Sequence, residues 1–208
     1  MFPRLPSYDR LNKWRGKCEH FMLALAQMGM AEPGERLSTY LIDSTKIDPH
    51  KLKSNPKCLR GKAAFGHTHE GGYIGFKLHV VANRKGQIVA FDLSGANRHD
   101  LDPVKGGLLE GLAGVVFADS GYVSAQIRQD LMAKDIAFIA KPTSAMKDLR
   151  WYFDRNWAKL YKQRQVVEGV FSRLKNRFGL LAHSCRCATS LRVRVFASIV
   201  AYNLLQSA

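Results

Sequence analysis

A short, wholly apolar run that ends in an acid constrains the fold of this chain more than any other feature. Residues 115–118 read Val-Val-Phe-Ala, and the polar turn Asp-Ser-Gly-Tyr follows from Asp119. A strand without alternating polar residues is buried on both faces, which is typical of the centre of a parallel sheet. The pattern of residues 124–134 is helical, so the chain would next cross over the sheet. We therefore predict a central strand whose carboxyl end presents Asp119.

The remaining patterns predict a mixed α/β fold. Strands are expected at 37–43, 73–83, 87–94 and 136–140, and helices at about 19–30, 103–112, 154–177 and 190–205. The second and third strands are joined by an Arg-Lys-Gly turn and form a hairpin, and Asp102 would cap the helix that follows. Helical crossovers make the first strand a parallel neighbour of the central one, so Asp43 and Asp119 would meet at one edge of the sheet. Residues 1–36 are expected to be a helical lead-in, and 37–208 one domain with a five-stranded mixed sheet flanked by helices.

The charge of the chain indicates a polyanionic partner. Its 208 residues include 32 Lys and Arg against 17 Asp and Glu, a formal charge of +15. Thirteen of the basic residues, but only three of the acids, lie in residues 141–208. Nucleic acid is the leading candidate, although an ordinary solvated basic face remains the alternative. The apolar runs 21–31 and 195–205 are too short to span a bilayer, and four cysteines without paired spacing, with no signal peptide, indicate a reducing cytoplasmic setting without disulfides.

Glu168 is the one acidic residue between Arg155 and the C-terminus, and it lies within a basic segment. At about 100° per residue, a helix would place Tyr161, Arg164 and Glu168 on one face, together with Lys175. One interpretation is an ion pair between Glu168 and Arg164, four residues apart. The other is that Glu168 joins Asp43 and Asp119 from a helix packed across the edge of the sheet.

Three converging carboxylates would need a divalent cation, because like charges a few ångströms apart repel strongly. Oxygen ligands favour Mg²⁺ or Mn²⁺, and a two-metal site of this kind suits phosphodiester cleavage. Each acid alone has a simpler explanation, since Asp43 and Asp119 both precede residues typical of turns. Asp100 is the strongest rival acid near the same edge. The case for a metal site rests on the conjunction of Asp43, Asp119 and Glu168.

The same residues resemble the bacterial insertion-sequence transposases of the DDE type. Tyr161, Arg164, Glu168 and Lys175 match that family's Tyr-x2-Arg-x3-Glu-x6-Lys signature, Asp119 to Tyr122 match its Asp-x-Gly-Tyr motif, and Leu41 to Ser44 are similar to its first-acid strand. Residues 75–79 and 95–100 also resemble family patterns.

The resemblance implies a ribonuclease H-like catalytic domain that cleaves and joins DNA with Mg²⁺ or Mn²⁺. Its three acids would be Asp43, Asp119 and Glu168, acting both as catalytic residues and as metal ligands. The resemblance assigns DNA contacts to Tyr161, Arg164 and Lys175. Arg173 and Arg177, in the same basic segment, are expected to contact DNA as well. The resemblance further implies a homodimer on DNA and a nucleoid-associated protein in the bacterial cytoplasm. Because the family's N-terminal DNA-gripping region would precede Met1, an inactive DNA-binding remnant is one alternative, and a structure-selective nuclease of the same fold is another.

Overall fold

The computed structural model describes residues 13–14, 17–31, 38–48, 63–68, 71–143, 155–180, 185 and 187–207. The strands within these ranges are β1 (Thr39–Ile47), β2 (Ala64–Thr68), β3 (Gly71–Asn83), β4 (Ile88–Gly95), β5 (Gly114–Ala118) and β6 (Ile136–Ala140). The helices are α1 (Glu19–Met28), α2 (Leu101–Lys105), α3 (Ala125–Met132), α4 (Arg155–Lys162), α5 (Gln165–Asn176) and α6 (Ala188–Ser207), with a 3₁₀ turn at Ser120–Tyr122. No helix in the described part of the chain is both long enough and apolar enough to cross a membrane.

The sheet is mixed, as the sequence predicts. β1 pairs with β3 antiparallel and with β5 parallel, and β5 pairs with β6 parallel. β4 pairs antiparallel with the same part of β3 as β1 does, on the opposite edge of β3. All five predicted strands are present, and the predicted hairpin is β3 and β4. The prediction that the first strand and the central strand are parallel neighbours is confirmed. This order of antiparallel and parallel strands, with helices on both faces, is the ribonuclease H-like arrangement that the resemblance implies.

Each face of the sheet buries its own apolar core. β1 alternates, so that Leu41 packs with β5 residue Phe117 against α5 and α6, whereas Tyr40 and Ile42 pack on the opposite face with α2 and α3. β5 is buried on both faces, because Val116 points into one core and Phe117 into the other. The apolar run that predicted a central strand is therefore explained by helices on both sides of it.

Residues 46–72 lie outside the predicted strands and helices, but the structure forms strand in part of this stretch. β1 continues to Ile47, and β2 forms at Ala64–Thr68, where it pairs with the first five residues of β3. Residues 49–62 lie outside the described part of the chain. The pairing partner explains the difference, because β2 is stabilised by a ladder to another strand and its own short, Gly- and His-containing sequence carries little strand signal.

Two helix predictions were wrong in extent. α2 ends at Lys105, well short of residue 112, and it begins at Leu101, so that Asp100 and not Asp102 holds the N-cap position. The helix predicted over 154–177 is two helices, since α4 ends at Lys162 and α5 begins at Gln165. Between them the backbone bonds tighten to a three-residue spacing.

The predicted lead-in helix is part of the core. Ala26 of α1 is fully buried with α6, and Glu19 forms an ion pair with Arg192. Asn203 of α6 also binds the end of α1. Its side-chain NH₂ donates to the carbonyl oxygens of Gly29 and Ile88, both at 2.8 Å, and its Oδ1 accepts from the Ile88 N–H at 2.9 Å. One buried amide thus ties α1, α6 and β4 together.

We expect Asn203→Leu to lower the free energy of unfolding by about 3 kcal/mol, because it leaves the buried Ile88 N–H and carbonyl without their side-chain partner. Urea denaturation followed by circular dichroism measures the change. Leu204→Ala, at the next position and 63% exposed, is the matched control and should cost less than about 0.5 kcal/mol. An equal cost for both variants would contradict a connecting role for Asn203.

Candidate active site

The parallel pairing of β1 and β5 brings two predicted acids together. In the parallel pair of β1 and β5, Leu41 lies opposite Phe117, and the same register continued by two residues sets Asp43 opposite Asp119. Asp43 is still within β1, whereas Asp119 has already left β5 in an extended conformation and begins the 3₁₀ turn. Both carboxylates therefore lie at the carboxyl edge of the two parallel strands, where sites in α/β sheets usually form.

Arg164 connects these two acids. Its Nη2 lies 2.9 Å from Oδ2 of Asp43, and its Nη1 lies 3.1 Å from Oδ1 of Asp119. Nη1 also donates to the hydroxyl of Tyr161 at 2.8 Å. The side chains of Arg164 and Asp43 are only 14% and 17% exposed, whereas that of Asp119 is 42% exposed. Arg164 is thus the ion-pair partner of the strand acids, and the ion pair with Glu168 considered above is not formed.

The helix break accounts for this placement of Arg164. Arg164 holds the N-cap position of α5, after a tight turn in which its N–H donates to the carbonyl of Tyr161. The ring of Tyr161 packs edge-on against Phe117 of β5 and lies 5.8 Å from the guanidinium carbon of Arg164. Tyr161 therefore anchors the end of α4 on the central strand and also orients the guanidinium that reaches the acids.

Burial and charge oppose each other at Asp43. Burial raises the pKa of Asp43 above its ordinary value, and the nearby Asp119 adds to that effect. The charge of Arg164 and its hydrogen bond act in the opposite direction, as does the Ser44 N–H, which donates to Oδ1 of Asp43 at 2.8 Å. The positive charge of Arg164 between the two strand acids offsets the repulsion between their carboxylates.

Glu168 is not brought to the same point. It lies in the first turn of α5 with an exposed side chain, while its neighbours Val167 and Val170 face the core. The described residues contain no group of three His, Cys, Asp or Glu side chains close enough to hold a metal ion. The structure therefore assembles Asp43 with Asp119 and leaves Glu168 apart. Of the other predicted DNA contacts on this helix, Lys175 is half-buried, and Arg173 and Arg177 are exposed.

A second polar group lies on the opposite face of the sheet, behind the two acids. His79 of β3 pairs across the ladder with Ser44, and its Nδ1 lies 2.9 Å from the hydroxyl of Tyr122, the last residue of the 3₁₀ turn. Lys77, on the same face of β3, binds Oδ1 of Asp100 at 3.0 Å. Sequence reasoning gave no role to His79 or Lys77. Their spacing of two residues within a predicted strand was the available signal, because it places both on one face.

His79 is fully buried and neutral. Burial lowers its pKa to about 4 and raises that of Tyr122 well above its ordinary value. Nδ1 can accept the Tyr122 hydrogen, while Nε2 has no hydrogen-bond partner among the described residues. Protonating this imidazole would place a charge in an apolar core, so the unfolded chain binds that proton more readily.

The depressed pKa of His79 predicts acid sensitivity. The unfolded state takes up a proton near pH 6.5 but the folded state only near pH 4, so stability is lost as the pH falls through this window. From pH 7 to pH 5, His79 should contribute a loss of about 2 kcal/mol. His79→Gln should lack this loss in urea unfolding at the two pH values, whereas the exposed control His20→Gln should retain it. If His79→Gln lost as much stability between pH 7 and pH 5 as the wild type does, His79 would be excluded as the cause of the acid sensitivity.

Arg164→Met should destabilise the fold by about 2 kcal/mol at pH 7, because it leaves Asp43 and Asp119 facing each other without a cation between them. Arg164→Lys keeps the charge but not the two-pronged geometry, so it should recover only part of the loss. Thermal unfolding of the three proteins measures the order. The exposed control Arg128→Met should have the stability of the wild type. If Arg164→Met were equally stable, the stabilising role of the ion pairs from Arg164 to Asp43 and Asp119 would be refuted.

The chain is similar to known transposases. Residues 34–189 match the family model described as the transposase DDE domain. In a search of solved structures, the chain is similar to piggyBac transposase in a synaptic complex with hairpin DNA, at 10% identity and a TM-score of 0.49, over 85% of this chain and 49% of that one. It is also similar to the catalytic domain of Mos1 mariner transposase, at 10% identity and a TM-score of 0.31, over 98% of this chain and 95% of that one.

The chain thus spans about half the length of the piggyBac chain that it matches. The family match itself covers well over half of the 208 residues and includes β1, β5 and α5, the three elements that carry Asp43, Asp119 and Glu168. On that match, the chain belongs to the family of transposase DDE domains.

Proposed function

We propose that residues 37–208 form the catalytic domain of a DNA transposase of the bacterial insertion-sequence type, which cleaves DNA phosphodiester bonds and joins the ends to new DNA. The observation that carries the proposal is the pair of acids, Asp43 and Asp119, that two parallel neighbouring strands set side by side and that share the guanidinium of Arg164. Family membership supports the same chemistry.

The proposed metal ligands are Asp43, Asp119 and Glu168. The first two fit a divalent cation, since they are hard oxygen donors and already share the positive charge of Arg164. Glu168 follows Arg164 by about one helical turn, and its exposed carboxylate faces no apolar core. When bound, Mg²⁺ or Mn²⁺ would activate the attacking water or 3′-hydroxyl and stabilise the leaving oxygen. The protein's own part is to hold the Asp43 carboxylate in place through the Ser44 N–H.

DNA is the proposed substrate and partner. Residues 141–208 carry most of the positive charge, and this part includes Arg173 and Arg177, exposed along α5 and at its end. Together with Tyr161, Arg164 and Lys175, these residues would hold the DNA backbone near the strand acids. Cleavage of two DNA ends in one complex would require two copies of the chain, so we propose a homodimer on DNA, associated with the nucleoid.

Substitution of the acids separates chemistry from binding. We expect Asp119→Asn and Glu168→Gln each to abolish Mg²⁺-dependent cleavage of a plasmid that carries the DNA flanking the gene. Affinity for the same DNA, measured by fluorescence anisotropy, should be unchanged or slightly higher because a negative charge is removed. Asp130→Asn, an exposed acid on α3, is the matched control and should cleave as the wild type does.

The outcomes distinguish the proposal from its alternatives. Undiminished cleavage by Glu168→Gln would remove Glu168 from the site while leaving the strand acids in it. A wild-type chain that binds this DNA but never cuts it would indicate a non-catalytic DNA-binding protein. Cutting without joining to a target plasmid would indicate a nuclease. Only cutting and joining that both depend on the acids support a transposase.

A further inference from the structure

Asp100 occupies a position where its side chain would ordinarily cap a helix, yet it does not. It immediately precedes α2, and an aspartate there normally accepts a backbone N–H of the first turn. No such bond is made, and Asp102 of the first turn instead accepts the N–H of His99 at 3.1 Å. The carboxylate of Asp100 therefore forgoes a stabilising local contact, and its bonds are made elsewhere.

The carboxylate points between the two segments that carry the strand acids. Its Oδ1 accepts from the hydroxyl of Ser44 at 3.3 Å and from Nζ of Lys77 at 3.0 Å. Its Oδ2 lies only 2.8 Å from the position that a Cβ on Gly121 would occupy. Ser44 directly follows Asp43, and Gly121 lies two residues after Asp119. One carboxylate thus touches the neighbours of both acids.

The close approach explains the glycine of the Asp-x-Gly-Tyr motif. The φ of Gly121 lies outside the left-handed region, so the backbone itself does not require glycine there. Real Cβ atoms essentially never lie within 3.0 Å of another heavy atom, so any side chain at position 121 would push Asp100 away. The glycine therefore provides space for the carboxylate. Asp100 and Gly121 form a steric pair across two separate parts of the chain.

Lys77 makes this third carboxylate tolerable so close to the strand acids. Its ammonium group binds Asp100 and also donates to the carbonyl of Arg98 at 3.1 Å, which anchors the segment before α2 on β3. Lys77 thus compensates the charge of Asp100 and holds its carboxylate against β3.

We propose that Asp100 is a positioning residue that sets the relative placement of Asp43 and Asp119. It fixes Ser44, whose N–H holds Oδ1 of Asp43, and it seats against the turn that follows Asp119. This inference rests on the proposed function, because it assigns Asp100 to the same site. Its test includes a stability measurement that is independent of any DNA activity.

The first experiment is a double-mutant cycle of Gly121→Ala and Asp100→Ser in the full chain. Gly121→Ala alone should lower the melting temperature, since its Cβ collides with the carboxylate. In the Asp100→Ser background the same Cβ has room, so the added loss should largely disappear. An equal loss in both backgrounds would overturn the contact, whether or not the protein cleaves DNA.

The second experiment asks whether the contact serves the acids. Asp100→Ser should weaken Mn²⁺ binding, followed by electron paramagnetic resonance without DNA, and should slow single-turnover cleavage at saturating DNA, each by about 10- to 100-fold. The DNA dissociation constant should not change. Asp100→Asn keeps the size and an acceptor for Ser44, so it should recover part of both losses.

Asp102→Ser is the matched control, because it removes an acid from the same segment that does not touch Ser44 or Gly121. It should change thermal stability without changing Mn²⁺ affinity or the cleavage rate. Wild-type Mn²⁺ affinity in Asp100→Ser would overturn the positioning role. A wild-type chain that binds Mn²⁺ in an Asp100-dependent manner but does not cleave would refute the proposed function and leave the positioning role standing.

Discussion

The guanidinium of Arg164, shared by Asp43 and Asp119, is the interaction on which the rest of the site depends. Parallel pairing of β1 and β5 sets two carboxylates level at one edge, an arrangement that repels itself without a positive charge. If α4 and α5 formed one continuous helix, the side chain of Arg164 would lie on the same face as that of Glu168. The chain instead breaks between α4 and α5, and Tyr161 is fixed on β5 so that the guanidinium reaches both acids.

The sheet allows the acids to be held from both faces. Since side chains alternate along β1, Asp43 points to the side of α5 and Ser44 to the side of α2 and α3. Arg164 acts on the first side. On the second side, Asp100 contacts Ser44 and the turn after Asp119. Lys77 binds Asp100, and the buried His79 pairs with Tyr122 of the same turn. Polar side chains from β3 and from the segment before α2 thus support a site whose acids belong to β1 and β5.

The sequence predicted what depends on local pattern. The apolar run before Asp119 correctly placed that acid at a strand end, and crossover geometry correctly made the first and central strands neighbours. Asp43 was predicted to end its strand, but β1 continues to Ile47 along its partner β3. What it missed depends on contacts between distant residues. β2 requires its partner in β3, and Arg164, at the break before α5, forms ion pairs with acids more than forty residues away. The prediction that Asp102 holds the cap position was wrong for a similar reason. Asp100 holds that position, and its carboxylate binds Lys77 and Ser44 and not the helix. Whether Glu168 joins the two strand acids is a matter of tertiary placement that helical spacing cannot decide.

The unequal exposure of the two strand acids suggests how the site divides its tasks. A carboxylate offers about four lone-pair positions. Asp43, 17% exposed, uses Oδ1 for the Ser44 N–H and Oδ2 for Arg164, so it is fixed yet not saturated. Asp119 is 42% exposed and meets Arg164 through Oδ1, so more of its surface faces solvent. The buried acid therefore provides the rigid reference point, and the exposed one is the more accessible to a cation approaching from solution.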